Sequence, residues 1–407
     1  MISWSATLGA YIYRGEQAVL NQHIFKVLPF VNKSFLYYLV SHQINMLKAQ
    51  VHGTGMQHIT KKKFDETAVL LPPLNEQHSI VAKLEELLTN LDAGVEALKM
   101  VQAQIGQYRQ AVLKYAFEGK LTAEWREAHK DELEPASVLL DRIREEHKKK
   151  LGGKYKEVPA VDTSDLSELP DGWEWARIGG ISEVKGGKRL PKGHEYSDVR
   201  TDFPYIRVTD FDDMSINSPA VRFLKPETQE LICRYTISEN DLYISIAGTI
   251  GKVGLISHEL DGANLTENAA KITSIEGTDK RYLAFFLNSY FAQEQIKRLI
   301  ISSNQPKLAL FRIEQIIIAL PPVDEQREIV NEVERRLSIA DGIQRTIETS
   351  IRQSDRLRQS ILKKAFEGKL VPQDPNDEPA QKLLERIKEE RAAQSVEAKN
   401  TRGRKKS

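Results

Sequence analysis

The sequence has a single cysteine, Cys233, among its 407 residues. A lone cysteine excludes disulfide bonds within the chain and the cysteine-rich sites that hold structural zinc. This usage is typical of a reducing compartment, and we expect the chain to reside in the cytoplasm. The 58 lysines and arginines nearly balance 57 aspartates and glutamates, so the net charge is +1. The overall charge therefore favours neither a nucleic-acid partner nor a membrane.

Long apolar runs and catalytic motifs are also missing. No stretch approaches the roughly 18 apolar residues that cross a bilayer, so we expect no membrane partner. The opening residues, MISWSATLGAYIYRGE, lack the basic start and apolar core of a secretory signal. No Gly-x-x-x-x-Gly-Lys-Ser/Thr loop is present, the histidines are scattered, and Asp212-Asp213 lacks the Glu-x-Lys expected of a nuclease metal site. We therefore expect no cofactor, no metal site and no catalytic residue.

The sequence contains a long internal repeat instead. AFEGKL occurs at residues 116–121 and again at 365–370, and Pro-Pro-x-x-Glu-Gln occurs at 72–77 and at 321–326. Both motifs recur at the same offset of 249 residues (365 − 116 and 321 − 72). After a short deletion the repeat continues, because EPASVLLDRIREE resembles EPAQKLLERIKEE. This duplication indicates two copies of one structural unit.

Each copy has the pattern of a long amphipathic helix between its two motifs. Apolar positions from Ile329 to Ala365 recur in steps of three and four that average 3.6, the period of an α-helix. We predict one long helix within 72–122 and another within 321–371, each about 60 Å long at 1.5 Å per residue. Two such stripes can bury each other, which favours a pair of packed helices that acts as a spacer. The alternative is that each stripe packs on a neighbouring globular core.

Local signals predict where these helices start and stop. The Pro-Pro pairs break the preceding structure, so we expect Asn75 and Asp324 to cap the two helices. Gly119 and Gly368 stand where the residue after a helix adopts a left-handed conformation. The two copies should therefore end in the same way.

The remaining segments have the patterns of globular domains and connections. Residues from Trp173 to Leu320 begin with strand-type runs such as DLYISIAGTIGKVGLI and continue into a helix-type run. This predicts a mixed α/β fold of the α+β type. Residues 1–71 match only the second half of that domain, because MISWSATLG resembles YISIAGTIG and TAVLLPP resembles IIIALPP. The predicted segments are a partial domain at 1–71, a long helix at 72–122, a short helix at 123–150, a linker at 151–172, a complete domain at 173–320, a long helix at 321–371, a short helix at 372–395 and a basic, disordered tail at 396–407.

The motifs in this order carry a family resemblance. A domain that opens with LPDGWEW and closes with LPPxxEQ, then a long helix that ends in AFEGKL, with the pattern duplicated, resembles the specificity subunit of type I restriction–modification enzymes. The resemblance extends from residue 1 to about residue 390. Its two motifs are specific because each occurs twice at one spacing.

The resemblance implies DNA recognition without catalysis. Each globular unit would be a target recognition domain that reads one half of a bipartite DNA sequence. The two long helices would form an antiparallel coiled-coil pair that spaces these domains and fixes the gap between the halves. The implied partners are double-stranded DNA, two adenine methyltransferase subunits and a nuclease-translocase restriction subunit. The chemistry would belong to those partners.

The incomplete first domain leaves alternatives open. Losing strands that close a sheet exposes an edge, so we expect residues 1–71 to read no sequence alone. The chain is then expected to be truncated, to have a misassigned start codon, or to be split from a separate fragment and recognise one half-site. Two rival hypotheses are a coiled-coil interaction module without DNA binding and a solo restriction enzyme, the latter disfavoured by the missing catalytic motifs.

Loop residues of the complete domain are the candidates for DNA contact. Lysine and arginine supply affinity through phosphates, whereas arginine pairs with guanine, aspartate with cytosine and amide side chains with adenine. Residues 173–320 hold 18 Lys and Arg against 19 Asp and Glu, so a DNA surface requires local clustering of cations. The predicted DNA-binding residues are Lys185, Lys188, Arg189 and Lys192 in a glycine-flexed loop, Arg207, Thr209 and Asp210 near a strand end, Thr249 and Lys252 in AGTIGK, and Asn304, Gln305 and Lys307 in SSNQPK.

Overall fold

The computed structural model describes residues 1–3, 8–50, 66–154, 157–275, 277–300 and 306–404. Its helices are α1 (Lys33–Gln50), α2 (Leu74–Phe117), α3 (Ala123–His129), α4 (Ala136–Leu151), α5 (Ile178–Ile181), α6 (Pro226–Ile232), α7 (Lys280–Leu287), α8 (Tyr290–Leu299), α9 (Leu310–Ile313), α10 (Val323–Phe366) and α11 (Ala380–Arg404). Throughout these ranges, no helix is long and apolar enough to cross a membrane.

The strands are short and most of them lie between α5 and α10. They are β1 (Ile2–Ser3), β2 (Gly9–Ala10), β3 (Ile24–Phe25), β4 (Glu174–Arg177), β5 (Glu183–Gly186), β6 (Tyr196–Ser197), β7 (Pro204–Ile206), β8 (Phe211–Asp212), β9 (Ser215–Ile216), β10 (Arg222–Leu224), β11 (Thr236–Ile237), β12 (Leu242–Ser245), β13 (Val253–Leu255), β14 (Ala263–Leu265), β15 (Ala269–Thr273) and β16 (Ile317–Leu320). This mixture of long helices and small sheets confirms the predicted α/β fold class.

The chain folds as two compact units. Unit 1 comprises Met1–Gln102 and Gln344–Ser407, and unit 2 comprises Ala103–Ile343. Each unit therefore combines a globular part with one part of α2 and one part of α10.

Helices α2 and α10 are antiparallel in unit 1. The Asn75 side chain, in the first turn of α2, donates to Asp377 beyond the end of α10 at 2.8 Å. Farther along α2, Asp92 pairs with Arg358, which lies earlier in α10. The apolar faces near the start of α2 form one buried cluster with α1, made of Phe35, Leu39, Ile80, Leu84, Leu88, Ile361, Leu362 and Ala365.

The same helices are antiparallel in unit 2. Arg109 of α2 pairs with Asp341 of α10. Beyond the end of α2, the Thr122 hydroxyl donates to Glu325, in the first turn of α10, at 2.7 Å. These contacts confirm the predicted antiparallel pair. The adjoining apolar faces join the main core of the unit through Val112, Leu113, Ala116, Phe117, Ile329, Val330 and Val333.

The middle of the predicted apolar stripe is less buried than its ends. Ile343 and Leu357 are 45% and 51% exposed, although both belong to the 3.6-residue pattern. The stripe of α2 is interrupted by Gly94 and Gln102, which offer little or no apolar side-chain area. The helices therefore bury their stripes partly against each other and partly, near their ends, against globular cores.

Both long helices begin before the residues expected to cap them. The second proline of each Pro-Pro pair accepts the first helical hydrogen bond through its carbonyl, at 3.0 Å in the first copy and 2.9 Å in the second. Asn75 and Asp324 consequently lie inside the first turn, and the prediction that they cap the helices was wrong. Proline can occupy the position just before the helix because the helix requires only its carbonyl as an acceptor and does not need the N–H that proline lacks.

The ends of the two helices agree with the prediction. Gly119 has a φ of +68° and Gly368 a φ of +69°, which is the left-handed conformation that closes a helix. The residue after each glycine donates its N–H to a carbonyl of the last turn at 2.9 Å. AFEGKL therefore encodes a helix terminus in both copies.

The phenylalanine of AFEGKL explains why the motif recurs. Phe117 packs edge-on against Tyr282 of α7, with ring centroids 5.4 Å apart. Phe366 packs in the same way against Phe35 of α1 at 5.7 Å. Each long helix thus ends on an aromatic contact with the globular part of its own unit.

Helix α11 extends farther than the sequence predicted. It continues to Arg404, whereas we expected a short helix to stop at residue 395 and a disordered tail to follow. The segment is rich in Ala, Glu, Lys and Arg, which are strong helix formers. The high helix propensity of these residues therefore accounts for the helix beyond residue 395, where the basic composition had suggested disorder.

The globular part of unit 2 consists of small sheets covered by helices. One sheet has the order β13-β12-β15-β5, and a second has the order β11-β14-β7-β10-β6. Strand β16 pairs with β4, directly before α10 begins. Apolar residues of α7 and α8 form the core with Leu242, Ile244, Ala270 and Ile272 of the first sheet.

The globular part of unit 1 contains a smaller sheet with the order β2-β1-β3. Ile2 lies opposite Phe25 in this sheet, as Ile244 lies opposite Ala270 in unit 2. The sequence likeness between the two regions therefore extends to strand register. Residues Val40 and Ile44 of α1 pack on this sheet.

We expect Gly119→Ala to destabilise the protein more than Gly368→Ala. Both substitutions place a side chain at positive φ, which costs about 1–2 kcal/mol. At Gly119 the new Cβ would also lie 2.3 Å from Cγ of Pro170, whereas at Gly368 the nearest atom is 3.6 Å away, on Gln373. Thermal unfolding should show a fall of about 2–4 °C for each kcal/mol of destabilisation. Equal falls in the two variants would contradict this explanation.

Candidate nucleic-acid interface

Three strands of the first sheet of unit 2 begin or end at the same edge of that sheet. Strand β5 ends at Gly186 beside Ala270, and β12 ends at Ser245 beside Ala269, the first residue of β15. The loops attached to this edge comprise residues 187–192, 246–252 and 266–268. We call these three loops the loop end. Most of the predicted DNA-binding residues that the structure describes lie here or next to it.

The loop at 187–192 is held in place near its start. Gly187 donates its N–H to Ala269 at 3.0 Å, and Lys188 donates to Leu265 at 2.8 Å. A Cβ at Gly187 would lie 2.1 Å from the carbonyl oxygen of Thr266. This glycine therefore permits close approach of two backbones, and it does not provide the flexibility that the sequence suggested.

A buried tyrosine supports the same loop. The Tyr205 hydroxyl donates to the Lys188 carbonyl at 2.9 Å. Burial raises the pKa of Tyr205 to about 12, so the phenol keeps its proton at neutral pH and remains a donor. The backbone that carries the basic side chains is consequently fixed from beneath.

The four basic residues predicted to bind DNA in and beside this loop have different neighbours. Lys185 forms an ion pair with Glu183 at 2.6 Å. Arg189 lies 3.3 Å from Glu267, and its side chain is 75% exposed. The Lys188 ammonium lies 5.5 Å from the centre of the Tyr235 ring. Lys192 is exposed. All four remain accessible to a phosphate, although two share their charge with a carboxylate.

The structure adds two residues that the sequence analysis missed. Arg234 and Tyr235 line a shallow pocket with Lys185 and Lys271. Arg234 is exposed, and Tyr235 offers a ring on which a base or a cation can stack. An arginine beside an aromatic residue just before β11 was the available signal. These side chains extend the cationic surface beyond the loop itself.

Arg207 and Asp210 do not fit the predicted base-reading role. The Asp210 carboxylate is 0% exposed and accepts from the Arg207 guanidinium at 2.6 and 3.1 Å. Arg207 also donates to the Ala220 carbonyl at 2.9 Å. The pair joins two loops of the domain, and Asp210 has no exposed oxygen to offer a cytosine. Thr209 beside them is exposed, and its hydroxyl lies 3.3 Å from Asp210.

The turn after β12 brings further predicted residues to the loop end. Ser245 donates its hydroxyl to the Thr249 carbonyl at 2.5 Å and accepts from the Lys252 N–H at 2.8 Å. The Lys252 ammonium donates to the Phe211 carbonyl at 3.3 Å. Lys307 pairs through its backbone with Ala247 in the same turn. Asn304 and Gln305 lie outside the described residues.

The exposed groups of the loop end are of the kind that binds a nucleic-acid backbone. Exposed lysines, arginines and a threonine hydroxyl border one sheet edge, and such groups bind phosphate oxygens. In the described part of the chain, no group of three or more His, Cys, Asp or Glu side chains is placed to hold a metal ion.

Comparison with known proteins agrees with this geometry. Residues 1–98 and 170–353 match the family model described as the type I restriction modification DNA specificity domain. The chain is 25% identical to the type I restriction enzyme EcoBI specificity subunit of Escherichia coli, over 97% of this chain and 80% of that protein. It is 28% identical to the EcoKI specificity subunit of Escherichia coli strain K12, over 96% and 77% of the two chains.

A solved structure supports the fold. It is described as "Structural basis underlying complex assembly and conformational transition of the type I R-M system", and it is 20% identical to this chain. The superposition has a TM-score of 0.57 and covers 84% of this chain and 72% of the other. The family model spans more than half of the sequence, in two segments that each include part of a long helix. The chain therefore belongs to the type I restriction–modification DNA specificity domain family.

Proposed function

We propose that the chain is the DNA-recognition subunit of a type I restriction–modification complex. One observation carries this proposal: the separate loops that hold the candidate cations converge at a single edge of one sheet, in a chain of this family. Convergence matters because residues 173–320 as a whole are not basic. Binding to DNA would then depend on where the cations lie, not on how many there are.

In this proposal the domain at 173–320 reads one half of a bipartite target. Lys185, Lys188, Arg189, Lys192 and Arg234 contact phosphates, while Thr249 and Tyr235 approach the bases. Lys252 and Lys307 add cations from the neighbouring turn, and Asn304 and Gln305 remain candidates for adenine. Arg207 and Asp210 hold the domain together and do not touch DNA.

The proposed partners supply the catalysis. We expect two adenine methyltransferase subunits and a restriction subunit to assemble with this chain, which itself carries no catalytic group. Helix α10 supports a docking role, because Ile339 is 51% exposed and Leu357 is exposed to the same extent. Apolar side chains at these positions gain free energy when a partner covers them.

A coiled-coil interaction module without DNA binding is the rival hypothesis. Co-expression with the methyltransferase subunit, followed by mapping of methylated adenines across the genome, separates the two. We expect methylation at one defined motif, and replacement of residues 187–192 should abolish or change that motif. Unaltered methylation after this replacement would contradict the proposed site, and DNA cleavage by the purified chain alone would contradict the absence of catalysis.

We expect the Lys188→Ala, Lys192→Ala double variant to weaken DNA binding at every sequence. Removing two phosphate contacts should lower the dependence of log K on log salt by about 1.8, which is about 0.9 for each contact. Fluorescence anisotropy of a duplex across a salt series, with the methyltransferase partner present, measures this slope. Arg281→Ala is the matched control, because Arg281 pairs with Asp279 and Glu334 at the opposite end of β15. A double variant with the wild-type slope would remove these residues from the interface.

We expect Ile339→Arg to reduce assembly with the methyltransferase subunit. A charge in the middle of a covered apolar contact is costly, since it loses its water without gaining a partner. Ser338→Arg is the matched control, because Ser338 is the exposed neighbour on the same helix. Co-purification and size-exclusion chromatography measure assembly, and circular dichroism checks that both variants fold. Equal assembly of the two variants would place the docking surface elsewhere.

A further inference from the structure

The turn at 266–268 joins the other two loops of the loop end. Loop 187–192 begins with two backbone hydrogen bonds, of 2.8 and 3.0 Å, to the residues on either side of this turn. The residues that open loop 246–252 donate two N–H groups to the Asn268 carbonyl at 2.8 and 3.2 Å. The turn is therefore fixed between both loops, and a side chain that it carries starts from a defined position.

Glu267 is the charged residue of this turn, and its carboxylate is held from two sides. Its Oε2 atom accepts from the hydroxyl of Thr266, a residue that is 5% exposed, at 3.0 Å. Its Oε1 atom lies 3.3 Å from Nε of Arg189. The Glu267 side chain is 29% exposed. Because a carboxylate can accept about four hydrogen bonds, acceptor capacity remains for a ligand.

The ion pair between Arg189 and Glu267 differs from the pair between Arg207 and Asp210 in the same domain. The Asp210 carboxylate is 0% exposed and accepts from both the backbone and the guanidinium of Arg207, so it has no surface to offer to DNA. Arg189 is 75% exposed, and Glu267 is open as well. The pair at the loop end can therefore meet a ligand, whereas the other pair only joins parts of the domain.

A carboxylate at this place is unfavourable for binding the DNA backbone alone. It repels phosphates and offsets part of the charge of Arg189. At a base edge the same group is favourable, because cytosine presents its N4 amino group as a donor in the major groove and glutamate accepts from it. The position of Glu267, between two loops that carry exposed cations, therefore suits contact with a base while the cations bind phosphates.

The repeat has another base-reading residue type at the same sequence position. LNQHIF at 20–25 aligns without a gap with LTENAA at 265–270, so Gln22 corresponds to Glu267. The strand register described above supports this alignment, and Gln22 is exposed. Glutamine pairs with adenine, whereas glutamate accepts from cytosine. An exchange of these two residues is what a position that sets base preference requires.

We propose that Glu267 selects a cytosine in the half-site that residues 173–320 recognise, by accepting a hydrogen bond from its N4 amino group. Arg189 is a positioning residue, because its Nε holds the carboxylate while its terminal nitrogens donate to a phosphate. The Thr266 hydroxyl holds the other carboxylate oxygen. This inference rests on the proposed function and adds to it one G·C base pair and the residue that selects it.

The first test maps methylated adenines in cells that express the full chain with the methyltransferase subunit. In Glu267→Ala, one motif position that requires cytosine in the wild type should accept other bases, while the remaining positions stay the same. In Glu267→Gln, the same position should accept adenine. Glu259→Ala is the matched control and should leave the motif unchanged, because Glu259 is exposed between β13 and β14, at the opposite end of both strands from the loop end.

The second test measures binding of the purified complex by fluorescence anisotropy, with duplexes that differ only at that position. Glu267→Ala should lower the preference for cytosine by about 5- to 150-fold, the loss expected for one base contact. Its affinity for unrelated DNA should stay the same or rise, since a negative charge leaves the phosphate-binding surface. Equal weakening on every duplex would show that Glu267 only supports Arg189 or the fold, and would overturn the proposal.

Variants of Arg189 test its positioning role. Arg189→Ala should weaken binding to every duplex and also relax the motif position that Glu267→Ala relaxes. Arg189→Lys keeps a charge for the phosphate but lacks Nε, so it should keep most of the affinity and still relax that position in part. A double variant with alanine at both positions should lose no more base preference than Glu267→Ala alone, because the two residues act as one unit. Additive losses would remove Arg189 from this role.

The outcomes separate this inference from the proposed function. A wild-type motif without a G·C pair, or one that stays the same in Glu267→Ala, would overturn the inference and leave the proposed function intact. If the wild-type complex methylated no defined motif, the proposed function itself would be wrong. Thermal unfolding checks that the variants fold. If Glu267→Ala does not fold, Glu267→Gln carries the test, because it retains the shape of the side chain and one acceptor oxygen.

Discussion

The buried carboxylate of Glu325 is the interaction on which unit 2 depends. A carboxylate removed from water costs several kcal/mol unless donors surround it. Its donors come from three places in the chain: Thr122 after α2, Arg126 in α3 and Trp173 before β4. One acceptor therefore fixes the end of the first long helix, the start of the second and the entry to the recognition domain. In the second copy, the glutamate of the Pro-Pro-x-x-Glu-Gln motif is the acceptor that joins these three segments.

The same junction explains how the domain is organised around the helices. Strand β4 leaves the junction and pairs with β16, which leads directly into α10. The sheet that carries the loop end is built between these two strands in sequence, so its ends are tied to the helix pair. Gly187 and Tyr205 then fix the basic loop on the sheet edge. A preorganised loop loses less conformational entropy on binding DNA than a flexible one would.

Much of this arrangement was predictable because it is written in local patterns. The 3.6-residue stripe indicated the long helices, and Gly119 and Gly368 indicated their ends, since a left-handed residue after a helix favours glycine. Other features depend on residues distant in the sequence. The burial of Asp210 by Arg207, the close approach at Gly187 and the exposure of Ile343 follow from packing. Asn75 and Asp324 were predicted as caps from residue type alone. The helices instead begin one residue after the Pro-Pro pairs, and the proline carbonyls accept the first helical hydrogen bonds.

The sequence by itself determined the duplication, the two long helices and the family. Each rests on periodicity or on motifs that recur at one offset, and such patterns can be recognised without knowledge of any tertiary contact. Only the tertiary structure decided which charged residues are exposed and which, such as Asp210, are buried in contacts within the domain. It also distinguished Glu325, whose oxygens accept three hydrogen bonds, from Glu76, whose buried Oε1 atom has no partner among the described residues, although both glutamates belong to the same motif. The physical reason is that a carboxylate's state depends on the donors around it, and those donors come from segments that the motif does not contain.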